Sequence, residues 1–299
     1  MELEVSNIIK SKSLFSDSLN WNQINDSLSL LPFGKNDTEN NQLIFKFFTN
    51  KLRKAGDKHS FFLTQAQMKS IMKTNPEPME PEGKYLGDGI GLIKVPHYAP
   101  FASPDLTQSD FANDIRFQIK RIDTQNEINS WIVDLRGNTG GDMWPILGGL
   151  NALIKDGIVG YFVNTKKHNE FAWESNNGEI AFTHVSINTY KVKRLPLKIA
   201  ILIDSKTAST GEMTAISFIG LPNVKVFGQP SAGFVTANAS TNLSDGTVLS
   251  LAGLNVADRT HKIYSDKIIP DVIVDTRTNS NVDETLDLAK KWILEADSK

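Results

Sequence analysis

Residues 197–212 read LKIAILIDSKTASTGE, and the fold follows from how this stretch divides. Its first seven residues, 197–203, are an apolar, β-branched run bounded by polar residues, the pattern of a strand buried on both faces. Beyond it Met213, Ile216 and Ile219 recur at helical spacing until Gly220-Leu221-Pro222 ends the run. Ser209 therefore stands on a short turn between a buried strand and the first turn of a helix. The N–H groups and positive dipole end of that helix lie beside it, where they stabilise negative charge developing on a substrate oxygen. The plainer reading of Ser209 is a helix N-cap, a position that Ser, Thr and Asp favour. Position alone favours the cap, so other stretches must decide.

Working outward, the same strand–turn–helix pattern repeats. Residues 131–135 (WIVDL) form a buried strand running into Arg136-Gly137-Asn138-Thr139-Gly140-Gly141-Asp142, and a helix follows through Leu153. Residues 90–95 (IGLIKV) are a short strand ended by Pro96. Phe111, Ile115, Ile119 and Ile122 mark an amphipathic helix expected to begin near Pro104-Asp105. Further strands are expected at 158–163 and 224–227, with a polar excursion over 164–192. Asp245-Gly246 signals a hairpin turn, and Leu286, Ala289 and Ile293 close the chain with a helix. Strands alternating with helices predict an α/β fold with a largely parallel sheet. Residues 1–75 read differently. There Trp21, Ile24, Leu28 and Leu31 form one helical stripe and Ile44, Phe47, Phe48 and Leu52 another. The proline-rich stretch NPEPMEPEG at 75–83 reads as a linker or exposed loop.

Composition narrows the function classes. A chain of 299 residues suits one large domain plus an appendage, and 40% apolar with 22% charged residues describes a soluble globular protein. A net charge of −2 without a basic stripe argues against a nucleic-acid partner. No run approaches the ~20 apolar residues needed to span a bilayer. The start Met1-Glu2-Leu3-Glu4 has no basic n-region or apolar h-region, which leads us to expect a cytoplasmic protein, with a trimmed exported one left open. Zero cysteines exclude disulfides, a thiolate nucleophile and cysteine-based zinc sites. There is no H-E-x-x-H, no P-loop and no G-x-G-x-x-G after a strand, so no metal or cofactor is expected.

Four stretches occur in order: WIVDLRGNTGG, LKIAILIDSKTASTGE, VFGQPSAG and IIPDVIVD. Together they resemble the C-terminal-processing (tail-specific) serine peptidases and their tricorn-core relatives. The resemblance implies a ClpP/crotonase-like ββα superhelix over residues 83–299, preceded by an N-terminal helical cap and linker over residues 1–82. It maps the family nucleophile, the Ser of T-A-S-x-x-E, onto Ser209. The tail-specific branch takes its base from a lysine in the following glycine turn, but here that position falls at or near Phe234. Nor does the chain have room for a PDZ insert. It is more similar to the tricorn-type branch, whose base is a histidine that maps onto His59 in Gly56-Asp57-Lys58-His59-Ser60.

The chemistry agrees, because a serine hydroxyl needs an adjacent base and histidine titrates near neutrality. The other candidates are His97, His168, His184 and His261. His168 and His184 lie in the polar excursion, and His261 lies in a charged turn. His97, at a strand end, is the main rival of His59, and the family match favours His59. Lys206 has no evident burial to lower its pKa and is not taken as a base. An oxyanion hole needs two converging donors. Thr210 N–H, next to the nucleophile, is one, and the Gly140-Gly141 turn, represented by Gly140, supplies the other. The resemblance implies a carboxylate near the end of the core to orient the histidine; Asp258 is preferred over Asp266, although the aligned position falls nearer Tyr264. Asp134 and Arg136 read as a structural ion pair, and Glu212 as a carboxylate of the helix N-terminus. Three functions remain open. The first is a serine peptidase acting on a peptide or protein substrate, with a homo-oligomer left open. The second is a catalytically silent family member acting as a ligand- or peptide-binding module. The third, an acyl-CoA enzyme on the same fold, has no use for the T-A-S-x-x-E serine.

Overall fold

The structure is a computed structural model describing residues 1–74, 79–100, 105–154, 156–164, 166, 168–176, 179–180, 189–275 and 282–295. In chain order the helices are α1 (Glu2–Lys12), α2 (Trp21–Ser29), α3 (Asp37–Lys54), α4 (Gln65–Thr74), α5 (Gln108–Gln125), α6 (Met143–Leu150), α7 (Thr210–Phe218) and α8 (Glu284–Leu294). The strands are β1 (Phe61–Leu63), β2 (Glu82–Tyr85), β3 (Ile90–Lys94), β4 (Ser130–Asp134), β5 (Gly157–Asn164), β6 (Asn169–Asn176), β7 (Glu179–Ile180), β8 (Ile199–Ile203), β9 (Val224–Gly228), β10 (Thr236–Asn242), β11 (Val248–Ala257), β12 (Ile263–Tyr264) and β13 (Val272–Ile273). The chain divides into two compact units. One holds residues 1–74, 164–169 and 236–255, the other 75–163, 170–235 and 256–299.

In the first unit, the N-terminal helices bury their apolar stripes against a sheet that comes from far downstream. Val5, Ile9, Ile24, Leu28, Ile44, Phe48 and Leu52 share one core with Leu249 and Leu251 of β11. Each such side chain, once buried, contributes roughly 1.5–3 kcal/mol. Phe45 is buried in α3, whereas Phe47, expected on the stripe, is only partly covered. β11 pairs antiparallel with β1, Phe61 opposite Ser250, and with β10, Thr236 opposite Asn255, with a bulge between Ala237 and Asn238. The hairpin signal is located as expected: the β10–β11 turn closes through Leu243 N–H donating to Thr247 O at 2.8 Å.

The second unit is built on a six-stranded sheet in the order β13-β9-β8-β4-β3-β2. All its pairs are parallel except β2–β3, so β2 is an antiparallel edge. β4 and β8 are buried along their whole lengths, as their unbroken apolar runs require. Ile90, Ile132, Ala200, Leu202 and Phe227 pack with Ala289 and Leu286 of α8. The buried face of α5 carries Phe111, Ile115, Ile119 and Ile122. That helix starts at Gln108 rather than near 104, because Thr107 and Asp110 form a capping box there. This is the α/β class expected from the sequence.

Candidate active site

In the second unit, three turns leave the C-terminal ends of the neighbouring strands β4, β8 and β9, where open parallel sheets gather their ligands. They are cross-braced by backbone. Thr207 Oγ1 donates to Leu135 O at 3.0 Å, and Gly137 N–H donates to Asp204 Oδ1 at 3.1 Å. Ala208 N–H reaches Asn138 O at 2.9 Å, and Ala232 N–H reaches Thr207 O at 2.9 Å. Asn138 is fully buried; its Nδ2 donates to Val95 O and Pro96 O at 3.2 and 3.0 Å.

Ser209 precedes α7 with φ 50° and ψ −112°. For a residue with a Cβ this backbone is strained, and such positions concentrate at functional sites. An ordinary N-cap sits in the β region instead, as Asp142 does before α6 with φ −96° and ψ 119°. Gly140, at φ 119°, lies directly against the serine: a Cβ there would stand 3.0 Å from Ser209 Cβ and 3.5 Å from its Oγ. Gly141, at φ 114°, admits no side chain, because a Cβ would fall 1.8 Å from Tyr98 O. Thr210 N–H, the first of α7, has no intrahelical acceptor. The Thr210 hydroxyl donates to Gly141 O at 2.8 Å and so ties the helix to the glycine turn. Gly140 N–H, in contrast, is engaged by Asn138 Oδ1 at 3.1 Å.

Glu212 reaches further than a helix-terminal carboxylate needs to. It is fully buried, and burial pushes its pKa up. Oε2 accepts from Ser209 N–H and Phe234 N–H, both at 2.8 Å. Oε1 accepts from Gly233 N–H at 2.8 Å and from the Ser231 hydroxyl.

His59 belongs to the first unit. Asp57, fully buried, turns the loop by accepting from His59 N–H and Ser60 N–H through Oδ1, both at 2.9 Å. Arg53 donates to Asp57 O and Ser60 O at 2.6 and 2.7 Å, and Asn238 Nδ2 donates to His59 O at 3.1 Å. His59 Nδ1 faces Thr236 O at 3.1 Å and Thr236 Oγ1 at 2.9 Å. A carbonyl only accepts, so Nδ1 carries the hydrogen and Nε2 presents a lone pair. Burial lowers the His59 pKa to about 4, against the raising effect of the Thr236 carbonyl.

The other expected residues are placed as follows. Asp258 is buried, with Oδ1 accepting from Thr260 N–H and hydroxyl and Oδ2 from Tyr264 OH at 2.9 Å, so its carboxylate organises its own turn. Asp266 Oδ1 packs beside Gly233. Lys206 is exposed. His261 pairs with Glu170 at 2.7 Å and stacks on Tyr161. His97 Nδ1 is buried with no partner among the described residues. His184 lies outside the described residues, as do positions 75–78 of the expected linker. The ion pair of Arg136 with Asp134, at 2.7 Å, extends to Asp283, also at 2.7 Å. Among the described residues no group of three or more acidic or histidine side chains could hold a metal, and no helix is long and apolar enough to cross a membrane. Thr236 and Asn238 carry no motif and were not legible in sequence; the reach of Glu212 to residues 231–234 was equally hidden.

The family model described as Peptidase family S41 matches residues 89–279, which include Ser209 and all three turns. The chain belongs to peptidase family S41. This S41 chain is 34% identical over 276 residues to the nisin-resistance protein of Lactococcus lactis subsp. lactis, covering 90% of this chain and 81% of that protein. A solved lipoprotein from Streptococcus agalactiae superposes with a TM-score of 0.74 at 26% identity, covering 98% of this chain and 94% of that one. The photosystem II D1 C-terminal processing protease superposes with a TM-score of 0.63 over 92% of each chain, and at 10% identity it shows the shared fold alone.

Proposed function

We propose that this S41 chain hydrolyses peptide bonds through an acyl-enzyme, with Ser209 as nucleophile and His59 as general base. Its substrate on this reading is nisin or a peptide of similar kind. The observation that carries the nucleophile is the strained backbone of Ser209 at the N-terminus of α7, packed on a glycine that leaves its hydroxyl room. His59 Nε2 takes the hydroxyl proton as Ser209 Oγ attacks the carbonyl carbon, then returns it to the leaving amine; water opens the ester in the second half. Thr210 N–H is one oxyanion donor. For the second we assign Gly141 N–H rather than Gly140 N–H, because Asn138 engages the latter. Thr236, rather than Asp258, orients the imidazole on this account, since both Asp258 oxygens already serve their own turn.

The substrate class rests on the nisin-resistance relative, whose match extends well beyond the catalytic stretches. The lipoprotein relative favours an exported location over the cytoplasmic one. The test is to incubate the purified chain with nisin and follow the products by mass spectrometry. We expect fragments whose masses sum to that of intact nisin plus one water, and none with Ser209→Ala. Nisin bound but left intact by the parent chain would overturn the reading in favour of a silent binding module.

A further inference from the structure

We infer that Glu212 is a positioning residue that couples the nucleophile to the turn at 231–234, and not merely the N-terminal carboxylate of α7. The inference rests on the reading of Ser209 as nucleophile. A carboxylate that only completes a capping box needs to accept one backbone N–H. Asp110 does this for α5, accepting from Thr107 N–H with a side chain one methylene shorter. Glu212 accepts four hydrogens, and three of them come from residues 231–234. Its Oε2 is shared between Ser209 N–H and Phe234 N–H, so a single atom fixes both backbones. Ser231 is itself anchored: it is fully buried, and its Oγ accepts from Ile268 N–H at 2.8 Å. Two residues beyond Phe234 stands Thr236, the acceptor of His59 Nδ1. Along the chain, then, the carboxylate that holds the strained Ser209 also holds the backbone of Phe234, two residues before the strand that carries Thr236.

The geometry also says which substitutions separate coupling from capping. In Glu212→Gln one oxygen becomes an NH₂ group. Toward residues 209 and 234 it would face two donors; toward 231 and 233 it would still oppose Gly233 N–H. Glu212→Asp keeps the charge and can still cap Ser209 N–H, as Asp110 shows, but is too short to span to residues 233 and 234 as well.

The experiment compares kcat and KM for peptide hydrolysis, fluorophosphonate labelling of Ser209, and backbone hydrogen exchange in the parent, Glu212→Asp and Glu212→Gln chains. Loss of alignment at a nucleophile costs about a hundredfold. We expect both variants to lose about that factor in kcat and in labelling rate with KM little changed. We also expect faster exchange at Gly233 and Phe234 while the sheet strands stay protected. Glu212→Asp within about twofold of the parent in kcat, with parent-like exchange at Gly233 and Phe234, would reduce Glu212 to a helix cap and overturn the proposal. If Glu212→Gln fails to fold, Glu212→Asp decides alone. A parent chain that neither labels nor hydrolyses would instead defeat the reading of Ser209, and the exchange at residues 233 and 234 would still decide the coupling.

Discussion

Ser209 and His59 are held by different means. The serine turn is braced by main-chain groups of two flanking turns, with Asp204, Asn138 and Glu212 closing the gaps. The histidine loop is held by side chains: Asp57 and Arg53 from beside it, Thr236 and Asn238 from about 180 residues downstream. The first arrangement fixes a strained backbone and leaves the side chain simple. The second fixes a relaxed loop and selects the tautomer of a ring. The comparison teaches where each half should be vulnerable: the nucleophile to changes of backbone shape, the base to changes of hydrogen bonding.

The largest effect should come from Ser209→Ala, which on the proposed mechanism lowers kcat by a factor on the order of 10⁶ without lowering Tm. Gly140→Ala tests shape. Its Cβ would stand 3.0 Å from Ser209 Cβ, at a φ of 119° that disfavours alanine, and we expect kcat to fall by about a hundredfold or more with an unchanged pH profile. Ser209→Gly tests the strain itself. Releasing a residue from φ 50° should stabilise the fold by ~1 kcal/mol, read as a rise in Tm, while abolishing activity. Thr236→Val should act least. It removes the hydroxyl that faces His59 Nδ1 but leaves the carbonyl, and a net hydrogen bond of ~1 kcal/mol corresponds to about a fivefold loss in kcat. If Thr236→Val were more damaging than Gly140→Ala, the contrast between the two regions would be reversed.

The same contrast explains what could be read from the sequence. Continuous apolar runs and a T-A-S-x-x-E turn are local signals, so β4, β8, the glycine turn and the position of Ser209 were legible. The Asp245-Gly246 hairpin was equally plain, for the same reason. Phe61–Leu63 reads as an aromatic pair after a turn, and only its pairing with β11 makes it a strand. Thr236 and Asn238 face His59 across 177 and 179 residues, a relation that no spacing rule records. The assignment of Asp258 as the orienting group came from the family resemblance, yet Thr260 and Tyr264, its local partners, engage both its oxygens. Gly140 was expected to bring its backbone close to a substrate as an oxyanion donor; it lies against Ser209, and its N–H is turned to Asn138 Oδ1.

The central claim is that His59, held neutral by burial, serves Ser209. The sign follows from its lowered pKa: the base works only as neutral imidazole, so activity is full well above about 4 and is lost as pH falls through that value. The contribution of His59 to stability has the same direction, present above the unfolded value near 6.5 and lost as pH falls toward 4. The most direct measurement is the rate of fluorophosphonate labelling at Ser209 from pH 3 to pH 9, in the parent chain and in His59→Ala. The account predicts a plateau above about pH 5 and a single acid limb near 4 in the parent. In His59→Ala it predicts a rate lower by about 10³ with that limb gone. A limb above pH 8 that persists in His59→Ala would contradict it and assign the base to a lysine.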